Sequence, residues 1–250
     1  MITASELRNR AWMKLGEGNW LKAVGAFGLF WLMGTVVAQV VARVGAATGG
    51  VETMSLADFM QKYGEMFGQL GMETPGEMSE QFMEIDIPVA KPWYQVVQFV
   101  VTTFAQGVFT AGWAVFTVSV MRNGANALQV FSGFHRLFST GWLMLLQSIR
   151  IALWSLLLVI PGIVAFYAYR MAFFLKADHP EWSAGKALAE SKRMMKGHKW
   201  RLMCLDASFI GWLLLVIFTF GLATLFVSPY MGVANAAFYE DLLDRDEDQD

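Results

Sequence analysis

A chain of 250 residues would ordinarily fold as one or two soluble domains, yet 56% of this one is hydrophobic, 16% is charged and its mean hydropathy is +0.42. A soluble domain that apolar lacks the polar surface to cover its core, so composition excludes the common soluble classes and points to a membrane protein. The formal net charge of -2 sums 19 basic and 21 acidic residues confined to a few stretches, and one cysteine with three scattered histidines leaves no disulfide and no Cys- or His-built metal site to expect.

The chain opens on a basic, amphipathic stretch carrying Arg8, Arg10, Lys14 and Lys22. No small-residue cleavage site follows the first apolar run, residues 20–44, so that run is expected to stay as an anchor. The connection over 45–92 reads as an extracytoplasmic insertion, with Lys62 and Lys91 against Glu52, Asp58, Glu65, Glu73, Glu77, Glu80, Glu84 and Asp86. Within it Leu56, Phe59, Met60, Tyr63, Phe67 and Leu70 recur at i, i+3, i+4 spacing, which predicts an amphipathic helix over 55–70. Met54, Met60, Met66, Met72, Met78 and Met83 invite a copper reading, because thioethers bind Cu(I). Six residues advance a helix by about 240° net, so these side chains do not converge, and adaptable packing is the better reading. Thr74-Pro75-Gly76 marks a turn, and residues 86–92 form an extended linker into the next span.

Further apolar stretches follow at 93–121, 142–160, 163–176, 200–218 and 222–238. Ile160-Pro161-Gly162 and Thr219-Phe220-Gly221 place helix breakers where a hairpin must turn, giving six transmembrane helices. The alternative keeps 142–176 as one kinked helix and gives four. Before the fifth span, Ser183 fits an N-cap, 184–196 a surface helix, and Gly197 the position just past its end. Cys204 reads as a small packed residue, and the acidic tail over 240–250 as disordered and solvating.

Three spans open alike, at Gly18-Asn19-Trp20, Gly141-Trp142 and Gly197-His198-Lys199-Trp200, and each leading tryptophan is followed by another, Trp31, Trp154 or Trp212. Each is also preceded by a basic amphipathic stretch. The fold expected is therefore an all-α membrane protein, one polytopic domain over 1–250. It has about six transmembrane helices in three tandem hairpin units, each preceded by a cytoplasmic amphipathic helix. Lysine and arginine collect on the N-terminal segment and on the second-to-third and fourth-to-fifth connections, which puts both termini in the cytoplasm.

The run Asp178-His179-Pro180, Ala187-Leu188-Ala189-Glu190-Ser191, Met195-Lys196-Gly197-His198-Lys199-Trp200, Ser208-Phe209-Ile210-Gly211-Trp212, Pro229-Tyr230 and Phe238-Tyr239 resembles a bacterial integral-membrane family known as a domain of unknown function, number 975. The similarity is specific over 153–242, and toward the N-terminus rests on Asn19-Trp20 and the basic helix before it. Arg170 departs from the pattern, which has a small polar residue there. The resemblance implies a polytopic protein of the cytoplasmic membrane, and implies no activity, substrate or catalytic residue.

Two sets of residues carry the functional expectations. Ionisable groups inside a span are functional candidates by default. Counted from the leading tryptophans, Asp206 and Arg150 lie about 9 and 12 Å below the cytoplasmic interface, at depths where they could pair, and Arg170 lies about 12 Å in from the other side. They form either an intramembrane site for an anionic solute or headgroup, completed by Gln98, Gln106 or Gln147, or a structural ion pair with Arg170 reaching for the interface. The second set is Lys186, Lys192, Arg193, Lys196, His198, Lys199, Trp200 and Arg201, where six basic residues face only Glu190 and would attract anionic headgroups at ~1 kcal/mol each. The expected partners are membrane lipids, with a membrane or soluble protein as the other option. Nothing points to nucleic acid, a metal, a cofactor or an enzymatic constellation. The function expected is a non-enzymatic scaffold, lipid-binding or assembly factor; the alternative is a small transporter or channel for an anionic or amphipathic solute.

Overall fold

In a computed structural model of the chain, residues 2–69, 86–122 and 124–247 are described. The Thr74-Pro75-Gly76 turn, Met72, Met78, Met83 and residues 248–250 lie outside them. The helices are α1 (Ala4–Gly16), α2 (Trp20–Ala47), α3 (Leu56–Gln69), α4 (Pro92–Met121), a 3-10 helix (Ala127–Arg136), α5 (Leu137–Leu157), α6 (Val159–Ala168), α7 (Ala172–Asp178), α8 (Ala184–Met194), α9 (Lys199–Ala207), α10 (Ile210–Phe218) and α11 (Thr224–Glu247). Among the described residues, five stretches are long and apolar enough to cross a membrane: Trp20–Ala47, Pro92–Met121, Ala127–Leu157, Val159–Asp178 and Lys199–Phe218. Apolar side chains such as Leu156, Leu157, Ile160, Leu214 and Ile217 are exposed along them, as bilayer-facing residues would be. These features mark a multi-pass helical membrane protein.

The sixth expected stretch, 222–238, falls in α11, which is not among the five. Pro229, Tyr230, Asn235 and the acids from Glu240 onward dilute its hydropathy, while Val233, Ala234, Ala236, Ala237, Phe238 and Tyr239 are fully buried. Small residues let neighbours approach closely, so α11 is built as a core helix. The tail expected to be disordered is helical as far as Glu247, and Asp241 is buried.

Contacts divide the chain into two compact units, the boundary falling inside α2 and α4. The smaller covers Val37–Val101. Here β1 (Val51–Ser55) pairs antiparallel with β2 (Asp86–Ala90), Val51 opposite Ala90, so the segment expected as an extended linker is a strand. Pro88 has no N–H to give, which an edge position tolerates. Ser55 Oγ accepts from the Asp58 N–H and caps α3. Lys91 pairs with Glu52 at 2.6 Å, and the Tyr94 hydroxyl donates to Val41 O at 2.6 Å. A Cβ at Gly45 would strike the Tyr94 ring, so glycine is required where ring meets helix.

The larger unit covers Met1–Val36 and Thr102–Asp250. Three of its helices start on side-chain caps: Thr3 on α1, Asn126 on the 3-10 helix and Ser183 on α8. Gly18 and Gly197 take left-handed φ of +83° and +85° just before Trp20 and Trp200, a conformation that side chains avoid. Gly141, the counterpart expected in the second unit, lies inside α5 and makes no break. The break expected at Ile160-Pro161-Gly162 falls at Leu158, in extended backbone, and Pro161 sits in the first turn of α6, where its missing N–H costs nothing. The chain turns at Thr219-Phe220-Gly221, with φ of +50° at an exposed Phe220 and +90° at Gly221. Arg201 joins the two ends of the chain, donating to Ile2 O at 3.1 Å and to Asp241 at 2.7 Å.

Candidate functional site

Helix α8 is positioned by its own sequence. Ser183 Oγ accepts from the Lys186 N–H at 3.2 Å, and Ala184, Ala187, Leu188, Ser191 and Met194 are buried, three or four residues apart. Ser191 Oγ donates to Ala168 O at 2.9 Å, fixing α8 to the end of α6. The basic residues of α8 and the turn after it divide by partner. Arg193 binds Glu190 and, at 2.7 Å, Asp246; Arg201 binds Asp241; the Lys186 ammonium lies 4.2 Å from the Trp182 ring centre. Lys196 and Trp200 are exposed. His198 Nδ1 accepts from the Arg201 guanidinium at 3.4 Å, and burial, reinforced by Arg201 and Arg245, pushes the His198 pKa below the usual histidine value.

Lys192 and Lys199 differ from the rest. Neither ammonium has a hydrogen-bond or ion-pair partner among the described residues, and both line a groove of about 370 Å³ walled by Trp154, Ile160, Pro161, Val164 and Tyr169. Apolar walls with two unsatisfied cations suit an amphipathic anion: the walls take hydrocarbon and the lysines a phosphodiester. The sequence placed both lysines in the interfacial set. It did not separate them from Arg193 and Arg201, whose partners lie far along the chain in α11.

The intramembrane charges are arranged differently from expectation. Arg170 pairs with Asp206 at 3.6 Å, and the Tyr167 hydroxyl couples to the same carboxylate. Arg150 does not pair with Asp206; its guanidinium sits 5.8 Å from the Tyr169 ring centre. The cause is the turn between α6 and α7, which carries Arg170 toward α9 and over the Phe166 ring at 5.2 Å. Arg170 also lines an interior cavity of about 220 Å³ with Gln147 and Asn235, of which Asn235 is 8% exposed. The Gln147 and Asn235 carbonyl oxygens have no partner among the described residues. Of the three expected glutamines, Gln147 lines this cavity.

A further network was missed in the sequence. Arg122, just past α4, makes a fork to Asp178 at 2.8 and 2.9 Å and binds Glu240 at 2.9 Å, and Tyr239 donates to Asp178 at 2.9 Å. Hydrogen bonding to Asp178, opposed by burial but reinforced by both carboxylates, raises the Arg122 pKa further. These groups clamp α4, α7 and α11 together. Cys204, expected to be packed, is exposed.

Fold and site together define a multi-pass helical membrane protein with an apolar groove that carries two lysines. Residues 156–246 match the model of a protein family of unknown function, DUF975. The matched segment runs from the end of α5 through α11 and holds both groove lysines and the Arg170–Asp206 pair. No curated protein and no solved structure matches the chain.

Proposed function

We propose that this protein is a non-enzymatic, multi-pass protein of the bacterial cytoplasmic membrane that binds anionic phospholipid through Lys192 and Lys199. The observation carrying this reading is a pair of lysines on an apolar groove that have no hydrogen-bond or ion-pair partner among the described residues. In a low-dielectric setting two cations without counterions repel, and an anionic headgroup relieves both. The orientation has both termini in the cytoplasm, supported by the basic segments and by Arg201 holding Ile2 beside Asp241. On this reading α11, whose 24 residues span about 36 Å, returns the chain as a sixth crossing among helices. On the same reading α1, the 3-10 helix and α8 serve as the interfacial helices of three units, a repeat supported by the left-handed Gly18 and Gly197 that follow α1 and α8. Scaffolding or assembly of other membrane components would use this lipid-anchored face.

The test is lipid occupancy in neutral-detergent micelles, titrated with phosphatidylglycerol and read by native mass spectrometry. At ~1 kcal/mol per lysine, the Lys192→Gln/Lys199→Gln double variant loses about 2 kcal/mol, roughly 30-fold in affinity. Lys186→Gln/Lys196→Gln, which removes the same charge away from the groove, loses no more than a few-fold. Equal losses would leave only diffuse attraction and refute a groove site. A solute path is the second reading, favoured by the cavity beside Arg170 with its two orphan carbonyl oxygens. It requires solute-dependent flux in proteoliposomes that Asn235→Leu abolishes.

A further inference from the structure

A second cavity, of about 360 Å³, lies away from the groove and is lined by Ser132, His135 and Arg136 of the 3-10 helix, Thr140 of α5, and Lys176 of α7. Its chemistry is one-sided. Lys176 is 4% exposed, and its ammonium donates to the carbonyl oxygens of Pro180, at 2.8 Å, and Trp182, which uses two of its three N–H groups. The Arg136 guanidinium lines the same cavity and has no hydrogen-bond or ion-pair partner among the described residues. Ser132 Oγ is buried and has no hydrogen-bond partner among the described residues, while Thr140 Oγ1 is satisfied by donating to Arg136 O at 3.0 Å. Among the described residues no carboxylate lines the cavity, and nearby Glu181 is 3.5 Å from His179. Two cations, a hydroxyl and an imidazole thus line one space, with Arg136 and His135 exposed at its mouth and Lys176 buried, and a bound anion would supply the counter-charge that buried Lys176 lacks among the described lining residues. Tetrahedral oxyanions match this set, since a guanidinium fork, an ammonium and a hydroxyl can each donate to a different oxygen.

We propose that the Ser132–Arg136–Lys176 cavity is a phosphate site, taking the phosphomonoester of a lipid headgroup or free phosphate. It is independent of the Lys192–Lys199 groove, with which it shares no lining residue. The site also lies largely outside the matched segment, because Ser132, His135, Arg136 and Thr140 precede residue 156.

The experiment uses the full chain, stripped of lipid and held in neutral detergent or in phosphatidylcholine nanodiscs. Thermal unfolding is followed against sodium phosphate, with sodium chloride at matched ionic strength as control, and in nanodiscs doped with phosphatidic acid. The wild type should show a saturable rise in midpoint with phosphate, phosphatidic acid or both. A response to inorganic phosphate assigns the free ion, and one confined to phosphatidic acid assigns the headgroup. Arg136→Gln, at an exposed position, should weaken the response at least ten-fold. Ser132→Ala should weaken it while leaving the unliganded midpoint unchanged or slightly raised, because an orphan hydroxyl is removed. Lys192→Gln/Lys199→Gln should leave it intact. No saturable response to either probe, or one unaltered by Arg136→Gln and Ser132→Ala, overturns the proposal.

Discussion

Replacing Asp241 with asparagine isolates what the C-terminal acids do. The Asp241 side chain is 4% exposed and accepts from Arg201 at 2.7 Å and from Arg245 at 3.1 and 3.3 Å. An asparagine oxygen can keep one of these bonds, but its NH2 then faces guanidinium donors, and Arg201, 15% exposed and stacked 5.3 Å from the Phe238 ring centre, loses its counter-charge. Stranding one partner of a buried pair costs about 3–5 kcal/mol. Arg245 is 27% exposed and water screens part of that loss, so a destabilisation of about 2–4 kcal/mol is expected. Glu17→Gln is the control: its pair with Lys14 is 3.5 Å long and Glu17 is 54% exposed, so it should cost no more than about 0.5 kcal/mol. Equilibrium unfolding in mixed micelles provides the assay. The pH dependence supplies a second signature. Burial acts to raise the Asp241 pKa, but hydrogen bonds from Arg201 and Arg245 outweigh it and hold the pKa below the usual aspartate value. The stabilisation is therefore fully present above about pH 3.9 and is lost as pH falls through the lowered native value. Wild type should lose its advantage over Asp241→Asn in that acid window. If Asp241→Asn unfolds within 0.5 kcal/mol of wild type at pH 7, the buried triad does not hold the chain ends together.

Two other outcomes follow from the packing and the charges. Gly133→Ala should destabilise by about 1–3 kcal/mol in the same assay, because the added Cβ would collide with the Val108 carbonyl oxygen of α4, which cannot move as a side chain can. His198 is pushed toward its neutral form in the folded state, so stability should rise as pH increases through the histidine range and be fully present above about pH 6.5. Substituting asparagine for His198 should flatten that slope, and an unaltered slope would assign it to another group.

What the sequence made legible was local. Ser183 and Gly197 bracket α8 in the structure because capping and left-handed turns are decided by a few neighbouring residues. The stripe from Leu56 gave α3 for the same reason. What escaped was set by partners distant in the chain. An acidic run from Glu240 reads as solvating until Arg122, Arg193 and Arg201 are found around it. β1 and β2 find each other only across the whole of α3 and the residues after it. Leu158, an ordinary apolar residue, takes the break expected at Pro161, since proline fits the first turn of the following helix. In the intramembrane set the pairing differs from expectation: counting depth along straight helices placed Arg150 opposite Asp206, whereas the turn after Ala168 brings Arg170 there.

The measurement that bears most directly on the functional account is an experimental structure in nanodiscs containing phosphatidylglycerol. The account predicts headgroup density between the Lys192 and Lys199 ammonium groups, within about 3 Å of each, with an acyl chain along Trp154, Val164 and Tyr169. A groove that is empty, closed by its own side chains, or filled equally well in phosphatidylcholine alone would contradict it.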